Sequence, residues 1–302
     1  MMTHKSKKCF GIIYMVMYLW GILCLAEVSA GEKLSVFVSI MPQKYFVEKI
    51  GGTLVDVSVM VKPGASPATY EPKPHQMAAL SKTTIYFFIG VPFERVWLEK
   101  IKAANSAMLM VHTEESIEKR PMRSNHHHHS EKNSDKHNHV VKDPHIWLSP
   151  PLVMIQARNI FTALAKADPA HRLEYQSHYQ VFIEEVVHLD NKIMEIFADT
   201  KKEIEFMVFH PAWGYFAQAY GLQQLPVEIE GKEPKPFELE HLIRYAQERG
   251  IGVVFVQPQF STKSAQTIAH AIGGKVVIAD PLAYNWADNL HNVAIKFNAA
   301  LK

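Results

Sequence analysis

The sequence predicts an α/β fold of two small lobes with parallel sheets, bridged by one long α-helix. Short apolar segments alternate with longer amphipathic stretches in two separate blocks, a pattern typical of parallel α/β units. The stretch from 170 to 200, which contains neither glycine nor proline, divides the two blocks. The chain has 302 residues, 48% of them hydrophobic and 21% charged, which suits two globular domains of ordinary size.

Each block contains short apolar runs that predict β-strands. The first block has four and the second has three: LSVFVSI (34–40), VDVSVMV (55–61), IYFFIG (85–90), AMLMVH (107–112), IEFMVF (204–209), GVVFVQ (252–257) and KVVIA (275–279). We therefore expect an N-terminal lobe over residues 31–167 and a C-terminal lobe over residues 201–302.

The dividing segment, residues 168–200, predicts the bridging helix. It opens with the Asp168-Pro169 start signal and then repeats apolar residues at steps of three and four: Leu173, Tyr175, Val181, Phe182, Val186, Leu189, Ile193 and Ile196. At ~1.5 Å per residue this helix would be roughly 45 Å long. It is therefore long enough to run along both lobes and join them.

Residues 1–30 have the features of a cleaved secretory signal peptide. Three lysines precede an apolar run at 9–25, and Val28-Ser29-Ala30 fits a small-residue cleavage site. The alternative is an uncleaved membrane anchor, but the apolar run is shorter than the ~20 residues that a spanning helix needs. We expect export to the periplasm with cleavage before Gly31.

Composition and cysteine placement exclude several kinds of site. Cys9 and Cys24 both lie in the leader, so the exported chain would have neither a disulfide nor a cysteine-zinc site. Leu23 is too large for the position before a lipid-modified cysteine, which favours a soluble exported protein over a lipoprotein. Lysine and arginine total 32 against 30 acidic residues, and this near balance argues against nucleic-acid binding.

Three polar side chains stand where a ligand site is expected. His210 and Asp280 directly follow strand candidates, and His145 opens an apolar segment after a histidine-rich run. Ligands of open α/β sheets bind at the carboxyl ends of strands, and imidazole with carboxylate suits zinc and its neighbours. Each residue also has a structural alternative: a single histidine after a strand is usually a hydrogen-bonded surface residue, and Asp280 before Pro281 can cap a turn.

Four longer motifs, read together, resemble one protein family. They are VKPGASPATYEPKP (61–74), DPHIWLSP (143–150), FHPAWGYFAQAYGL (209–222) and VFVQPQFSTKSAQTIAHAIGGKVVIADPL (254–282). Their order and spacing resemble the zinc and manganese solute-binding proteins of bacterial ABC importers, the ZnuA/TroA-like family, over about residues 33 to 302. The resemblance implies a metal site in the cleft between two lobes, little hinge bending, and a membrane permease as partner.

The resemblance also implies a ligand set. His145, His210 and Asp280 match the second, third and fourth metal positions of the family. The first position departs, because Ala68 stands where the family usually has a histidine, and alanine cannot coordinate a metal.

Several groups could compensate for Ala68. A water could fill the gap, His75 lies seven residues further along, and a histidine from the run at 126–139 could swing in. Gln257 and Gln259 could orient that water or a ligand, or they could be ordinary loop residues.

The segment 124–139 forms a second, separate feature. Its histidines lie among serine, asparagine, lysine and aspartate, and they are His126, His127, His128, His129, His137 and His139. This composition predicts a flexible loop that binds metal ions weakly in many alternative ligand sets, or else an incidental solvated insertion. In the family such loops accompany zinc transport, which implies zinc here, although imidazole-rich sites also suit nickel and copper.

We expect a monomer without enzymatic activity that captures zinc with high affinity and delivers it to an ABC permease. Three other functions are left open. One is a hydrolase in which a zinc held by two histidines and an aspartate activates water, with Glu71, Glu228 or Glu230 as the base. A second is a manganese or other-metal importer component, and a weaker third is a metal-dependent adhesin or a role at a lipid surface.

Overall fold

The computed structural model describes residues 32–122, 142–228, 232–260 and 263–301. The predicted signal peptide at 1–30 and the six histidines of the 124–139 segment lie outside the described residues. Residues Leu34–Lys302 form one unit that contains both lobes.

A four-stranded parallel sheet forms the N-terminal lobe. Its elements are β1 (Leu34–Val38), α1 (Met41–Gly51), a 3-10 turn (Gly52–Leu54), β2 (Val55–Val59), α2 (Pro74–Leu80), β3 (Ile85–Phe88), α3 (Pro92–Ala104) and β4 (Leu109–His112). The strand order is β2-β1-β3-β4. The inner strand β3 is buried along its whole length, whereas the edge strand β2 alternates buried valine with exposed polar residues.

A second parallel sheet forms the C-terminal lobe. Its elements are β5 (Glu205–Val208), α6 (Gly214–Ala219), β6 (Gln223–Pro226), α7 (Pro236–Glu248), β7 (Val253–Val256), α8 (Lys263–Ala271), β8 (Lys275–Ile278) and α9 (Trp286–Ala300). The strand order β6-β5-β7-β8 repeats the order of the first sheet. The prediction of two parallel-sheet lobes is therefore confirmed.

One strand was not predicted from the sequence. Strand β6 reads Gln-Gln-Leu-Pro and lies at the edge of its sheet, next to β5. It has no apolar alternation, and it ends in a proline, which is tolerated only at edges and strand ends. Its strand conformation comes from pairing with β5 rather than from local preference.

Two helices connect the lobes. Helix α4 (Pro150–Ala167) and a 3-10 turn (Pro169–His171) lead into α5 (Arg172–Ile196), which packs against α4, against α1 of the first lobe and against α9 of the second. Helix α5 has 25 residues, hence a length of about 37 Å at ~1.5 Å per residue, shorter than predicted.

The buried face of α5 is narrower than the predicted stripe. Its buried residues are Tyr175, Phe182, Val186, Leu189 and Ile193. The prediction was wrong for Leu173 and Val181, which are 79% and 53% exposed. Helical geometry explains the error, because neighbouring residues point about 100° apart and both side chains fall outside this face.

A continuous hydrophobic core joins the two lobes. It includes Phe46 of α1, Phe182 of α5 and Trp286 of α9, and the rings of Phe46 and Trp286 make an edge contact with centroids 5.1 Å apart. A second cluster lies in the C-terminal lobe, where α7 and α8 supply Leu242 and Ile268. None of the helices in the described part of the chain is long and apolar enough to span a membrane.

Candidate metal-binding cleft

A small cavity lies between the lobes at the carboxyl ends of several strands. The N-terminal half of the chain contributes residues that follow β2 and β3 and residues of the segment before α4: Ser66, Pro67, Ala68, Val91, Pro92, Met122, Pro144, His145 and Trp147. The C-terminal lobe contributes His210, Gln259, Phe260, Pro281 and Leu282. Its volume is about 70 Å³. At ~30 Å³ per water, the cavity has room for an ion with about one or two waters.

The two predicted histidines meet at this cavity. The ring centroids of His145 and His210 are 5.3 Å apart, with the ring planes at 74°. The ring of Phe260 stacks on His210 at 5.1 Å, and Trp147 lies against His145 at 5.2 Å. The two imidazoles are therefore held side by side between aromatic walls.

His145 is oriented by a carboxylate from its own segment. Its Nδ1 lies 2.7 Å from Oδ1 of Asp143, and its backbone N–H donates to the same oxygen at 3.0 Å. An ionised carboxylate only accepts, so Nδ1 carries the proton and Nε2 keeps the lone pair that can bind a metal.

His210 is oriented by a carboxylate from the segment that directly follows the neighbouring strand β6. Its Nδ1 lies 2.6 Å from Oε2 of Glu228. Strands β5 and β6 pair Val208 with Pro226. The same register, continued for two residues beyond both strands, places His210 opposite Glu228. The carboxylate again fixes the proton on Nδ1 and leaves Nε2 for a metal.

Gln257 holds the backbone of His210 from the other side. Its Nε2 donates to the His210 carbonyl at 3.0 Å, and the His210 N–H donates to its Oε1 at 3.3 Å. Strands β5 and β7 pair Val208 with Phe255, which sets this position. Gln257 therefore positions a candidate ligand, one of the two roles the sequence left open.

Burial lowers the pKa of His145 below its ordinary value, and the hydrogen bond to Asp143 opposes this shift without cancelling it. The neutral imidazole is therefore favoured over the charged one. Metal binding requires the neutral form, so the cavity keeps His145 in the state that can coordinate.

Asp280 lies beside the cavity in the adjoining recess of about 180 Å³, which Gln259 and Leu282 also line. Its Oδ1 accepts from the Leu282 N–H at 2.9 Å and from Gln259 Nε2 at 3.0 Å. Asp280 thus caps the turn that follows β8. Over residues 32–122, 142–228, 232–260 and 263–301, no three histidine, cysteine, aspartate or glutamate side chains are close enough together to hold a metal.

The remaining candidate ligands and bases differ in whether they reach the cavity. Ala68 lines the cavity, whereas His75 is exposed on α2 and does not line it. Glu71 is exposed, and Glu228 is engaged by His210, while Glu230 lies outside the described residues.

Hydrogen bonds across the cleft tie its walls together. Trp147 Nε1 donates to the Pro281 carbonyl at 2.7 Å, and Trp286 Nε1 donates to the Trp147 carbonyl at 2.7 Å. The hydroxyl of Tyr215 donates to the Asp143 carbonyl at 3.1 Å. The segment that holds His145 is therefore anchored to the C-terminal lobe.

Sequence reasoning missed both orienting carboxylates. Asp143 had a signal, since it stands two residues before His145 in the DPHIW motif and can reach the ring locally. Glu228 had none as an orienting residue, because its position depends on β6, which was not predicted.

The architecture first defines a class. Two parallel-sheet lobes with a shared core, a bridging helix and ligand groups between the lobes are the features of a two-lobe solute-binding protein. The family model described as "Zinc-uptake complex component A periplasmic" matches residues 36–295. The chain belongs to this family.

Individual relatives agree. The zinc-binding protein AdcA of Streptococcus pyogenes serotype M3 is 27% identical over 286 residues, which cover 88% of this chain and 54% of that protein. The chain thus spans about half the length of that relative. The high-affinity zinc uptake system protein ZnuA of Bacillus subtilis is 28% identical over 259 residues, covering 84% of this chain and 80% of that protein. A crystal structure of ZnuA has 44% sequence identity and a TM-score of 0.82, and the match covers 90% of this chain and 100% of that one.

Proposed function

We propose that the chain captures zinc in the periplasm and delivers it to an ABC-type membrane permease. The ion is bound by Nε2 of His145, Nε2 of His210 and the carboxylate of Asp280. The observation that carries the proposal is the pair of adjacent imidazoles, each with Nδ1 tied to a carboxylate. Such carboxylate–histidine pairs raise the basicity of the ligand and fix the ring for a metal.

The size of the cavity supports an ion as cargo. A cavity of about 70 Å³ is far below the ~300–1,000 Å³ of pockets that hold small organic molecules. A hydrolase would also need a free base near the metal-bound water. Of the three glutamates considered, Glu228 is already bonded to His210 and Glu71 is exposed. We therefore propose that the chain is not an enzyme.

Capture requires a local rearrangement of Asp280. Its Oδ1 is engaged by Leu282 and Gln259, so the metal would be approached by Oδ2 after a small shift of the turn that follows β8. The shared core and the indole bonds across the cleft favour such local closure over a large hinge motion. Binding would then release any protons held by the imidazoles, as metal ligation requires.

The histidine-rich segment is proposed as an auxiliary zinc collector. The residues that flank it are close together: Pro121 pairs with Lys142, and the Asp143 N–H donates to the Arg120 carbonyl at 2.9 Å. The described chain on the two sides of the segment, at Met122 and Lys142, therefore lies next to Asp143 and His145. Ions collected there would be released next to the cleft.

The proposal further includes export with removal of residues 1–30 and action as a monomer.

Zinc titration calorimetry tests the capture step on three chains that begin at Gly31: the parent, a variant without residues 124–139, and a His145→Ala, His210→Ala double variant. We expect the loop deletion to retain one tight site and the double variant to lose it, with affinity falling by more than the ~10- to 100-fold typical of a lost orienting partner. Loss of tight binding on loop deletion alone would move the functional site to the histidine segment and refute the cleft proposal.

A further inference from the structure

The proposed zinc site has one position without a donor. Ala68 lines the cavity where a fourth ligand would be expected, and its methyl group cannot bind a metal. Zinc sites with three protein ligands leave the fourth position to water or to another donor. A fourth protein donor would therefore have to be an unused oxygen or nitrogen elsewhere on the cavity wall.

Gln259 supplies such an atom. It lines the cavity together with His145 and His210, and it also lines the recess that contains Asp280. Its Oε1 is buried and has no hydrogen-bond partner in the part of the chain that the structure describes. A buried polar atom without a partner is unfavourable, so it calls for an explanation such as a bound ion.

The orientation of this amide is determined by chemistry. Its other terminal atom, Nε2, lies 3.0 Å from Oδ1 of Asp280. An ionised carboxylate can only accept, so the NH₂ group must face Asp280 and the carbonyl oxygen must be the unpaired atom. The hydrogen bond also links the amide to the carboxylate that is proposed to bind zinc.

We propose that Oε1 of Gln259 is the fourth metal donor and compensates for the histidine absent at position 68. This inference rests on the proposed capture of zinc. Gln259 and Asp280 are hydrogen-bonded to each other, so the two would act on the ion as a linked pair of oxygen donors, in addition to the two imidazoles. The site then has two nitrogen and two oxygen ligands in place of three nitrogens and one oxygen.

An amide oxygen in place of an imidazole would change the metal selectivity of the site. Oxygen donors suit manganese and other hard cations, whereas imidazole suits zinc and copper. Replacing an imidazole with an amide oxygen therefore reduces the preference of the site for zinc over manganese. Restoring the histidine with Ala68→His should widen the ratio of zinc to manganese affinity.

The test uses the chain from Gly31, with zinc affinity measured by chelator competition. Cobalt(II), added below one equivalent, reports the ligand geometry of the tightest site through its visible absorption. Gln259→Leu should weaken zinc binding by at least about tenfold and change the cobalt spectrum. Gln247→Leu is the matched control, because Gln247 is exposed on α7 of the same lobe and its side chain bonds only to the Ala271 carbonyl among the described contacts. Thermal unfolding without metal checks that each variant is folded.

Two further variants separate ligation from positioning. Gln259→Glu keeps an oxygen donor but cannot donate to Asp280, so it should stay within a few-fold of the parent if the oxygen binds zinc. Equal losses in Gln259→Glu and Gln259→Leu would mean that Gln259 only positions Asp280, and the inference would be overturned. In a chain that also carries Ala68→His, Gln259→Leu should reduce zinc affinity by a smaller factor than it does in the parent.

The outcomes also distinguish this inference from the function on which it rests. If the His145→Ala, His210→Ala double variant loses zinc while Gln259→Leu behaves like Gln247→Leu, the capture proposal survives and the role of Gln259 is rejected. If the double histidine variant binds zinc as tightly as the parent, both proposals fail.

Discussion

His145 and His210 have the same kind of hydrogen-bond partner but acquire it by different routes. Each has Nδ1 bonded to a carboxylate, at 2.7 Å from Asp143 in one case and 2.6 Å from Glu228 in the other. Asp143 lies two residues from its histidine, in the same loop before α4. Glu228 lies 18 residues away, two residues beyond the end of β6.

The difference shows two ways to prepare a metal ligand. Around His145 a short motif contains both the ring and its carboxylate, although Tyr215 and Trp147 anchor that motif to the other lobe. Around His210 the sheet does the positioning, because β6 and β7 on either side of β5 bring Glu228 and Gln257 to the same residue. A substitution within the short motif should therefore affect His145, whereas a change in the pairing of β5 with its neighbours should affect His210.

Removing the charge of either orienting carboxylate should have the largest effect on zinc affinity. Asp143→Asn and Glu228→Gln should each weaken zinc binding by about 10- to 100-fold, since the partner no longer fixes the tautomer and raises the basicity of the ring. Asp143→Asn should also lower the thermal stability of the metal-free chain more than Glu228→Gln, because Asp143 accepts from both the ring and the backbone N–H of His145. Chelator competition and thermal unfolding measure the two effects.

The control for the carboxylate variants is Glu184→Gln, which removes one charge from the exposed side of α5. It should leave zinc affinity unchanged. If either carboxylate variant matched this control, the corresponding histidine would not depend on its partner.

Lowering the pH tests the protonation state of the pair, with a smaller expected effect. Two histidines with the ordinary pKa of about 6.5 would together lose roughly 100-fold in affinity between pH 7.5 and 5.5. Burial lowers the pKa of His145, so its neutral form persists to lower pH. Protons therefore compete less strongly with zinc for this imidazole. The loss should therefore be smaller than this reference value of roughly 100-fold. Calorimetry at the two pH values measures it, and an unchanged affinity would argue against histidine ligation.

Cutting the anchor of the His145 segment should have the smallest effect. Trp147→Phe keeps an aromatic ring next to His145 but removes the hydrogen bond to the Pro281 carbonyl of the other lobe. One net hydrogen bond contributes about 1 kcal/mol, so zinc affinity should fall by at most about fivefold. Trp97→Phe, on α3 away from the cleft, serves as the control. A loss as large as that of Asp143→Asn would show that His145 depends on the lobe contact as much as on its own motif.

Much of the fold could be predicted from the sequence because its signals are local. Seven strands had continuous or alternating apolar residues, and the bridging helix had a clear periodic pattern. The failures were also physical. Strand β6 is polar and depends on its neighbour, and Leu173 and Val181 are apolar residues of α5 that stay exposed.

The sequence by itself determined the two lobes, the positions of His145, His210 and Asp280 at the ends of their segments, and the departure at Ala68. These follow from periodicity and from motifs that occupy a few neighbouring residues. Only the tertiary structure decided that Glu228 and Gln257 flank His210, that Asp280 lies beside the cavity next to Gln259, and that the buried Oε1 of Gln259 has no hydrogen-bond partner among the described residues. These contacts join residues that are distant in the chain, and they depend on strand register and lobe packing, which no local pattern specifies.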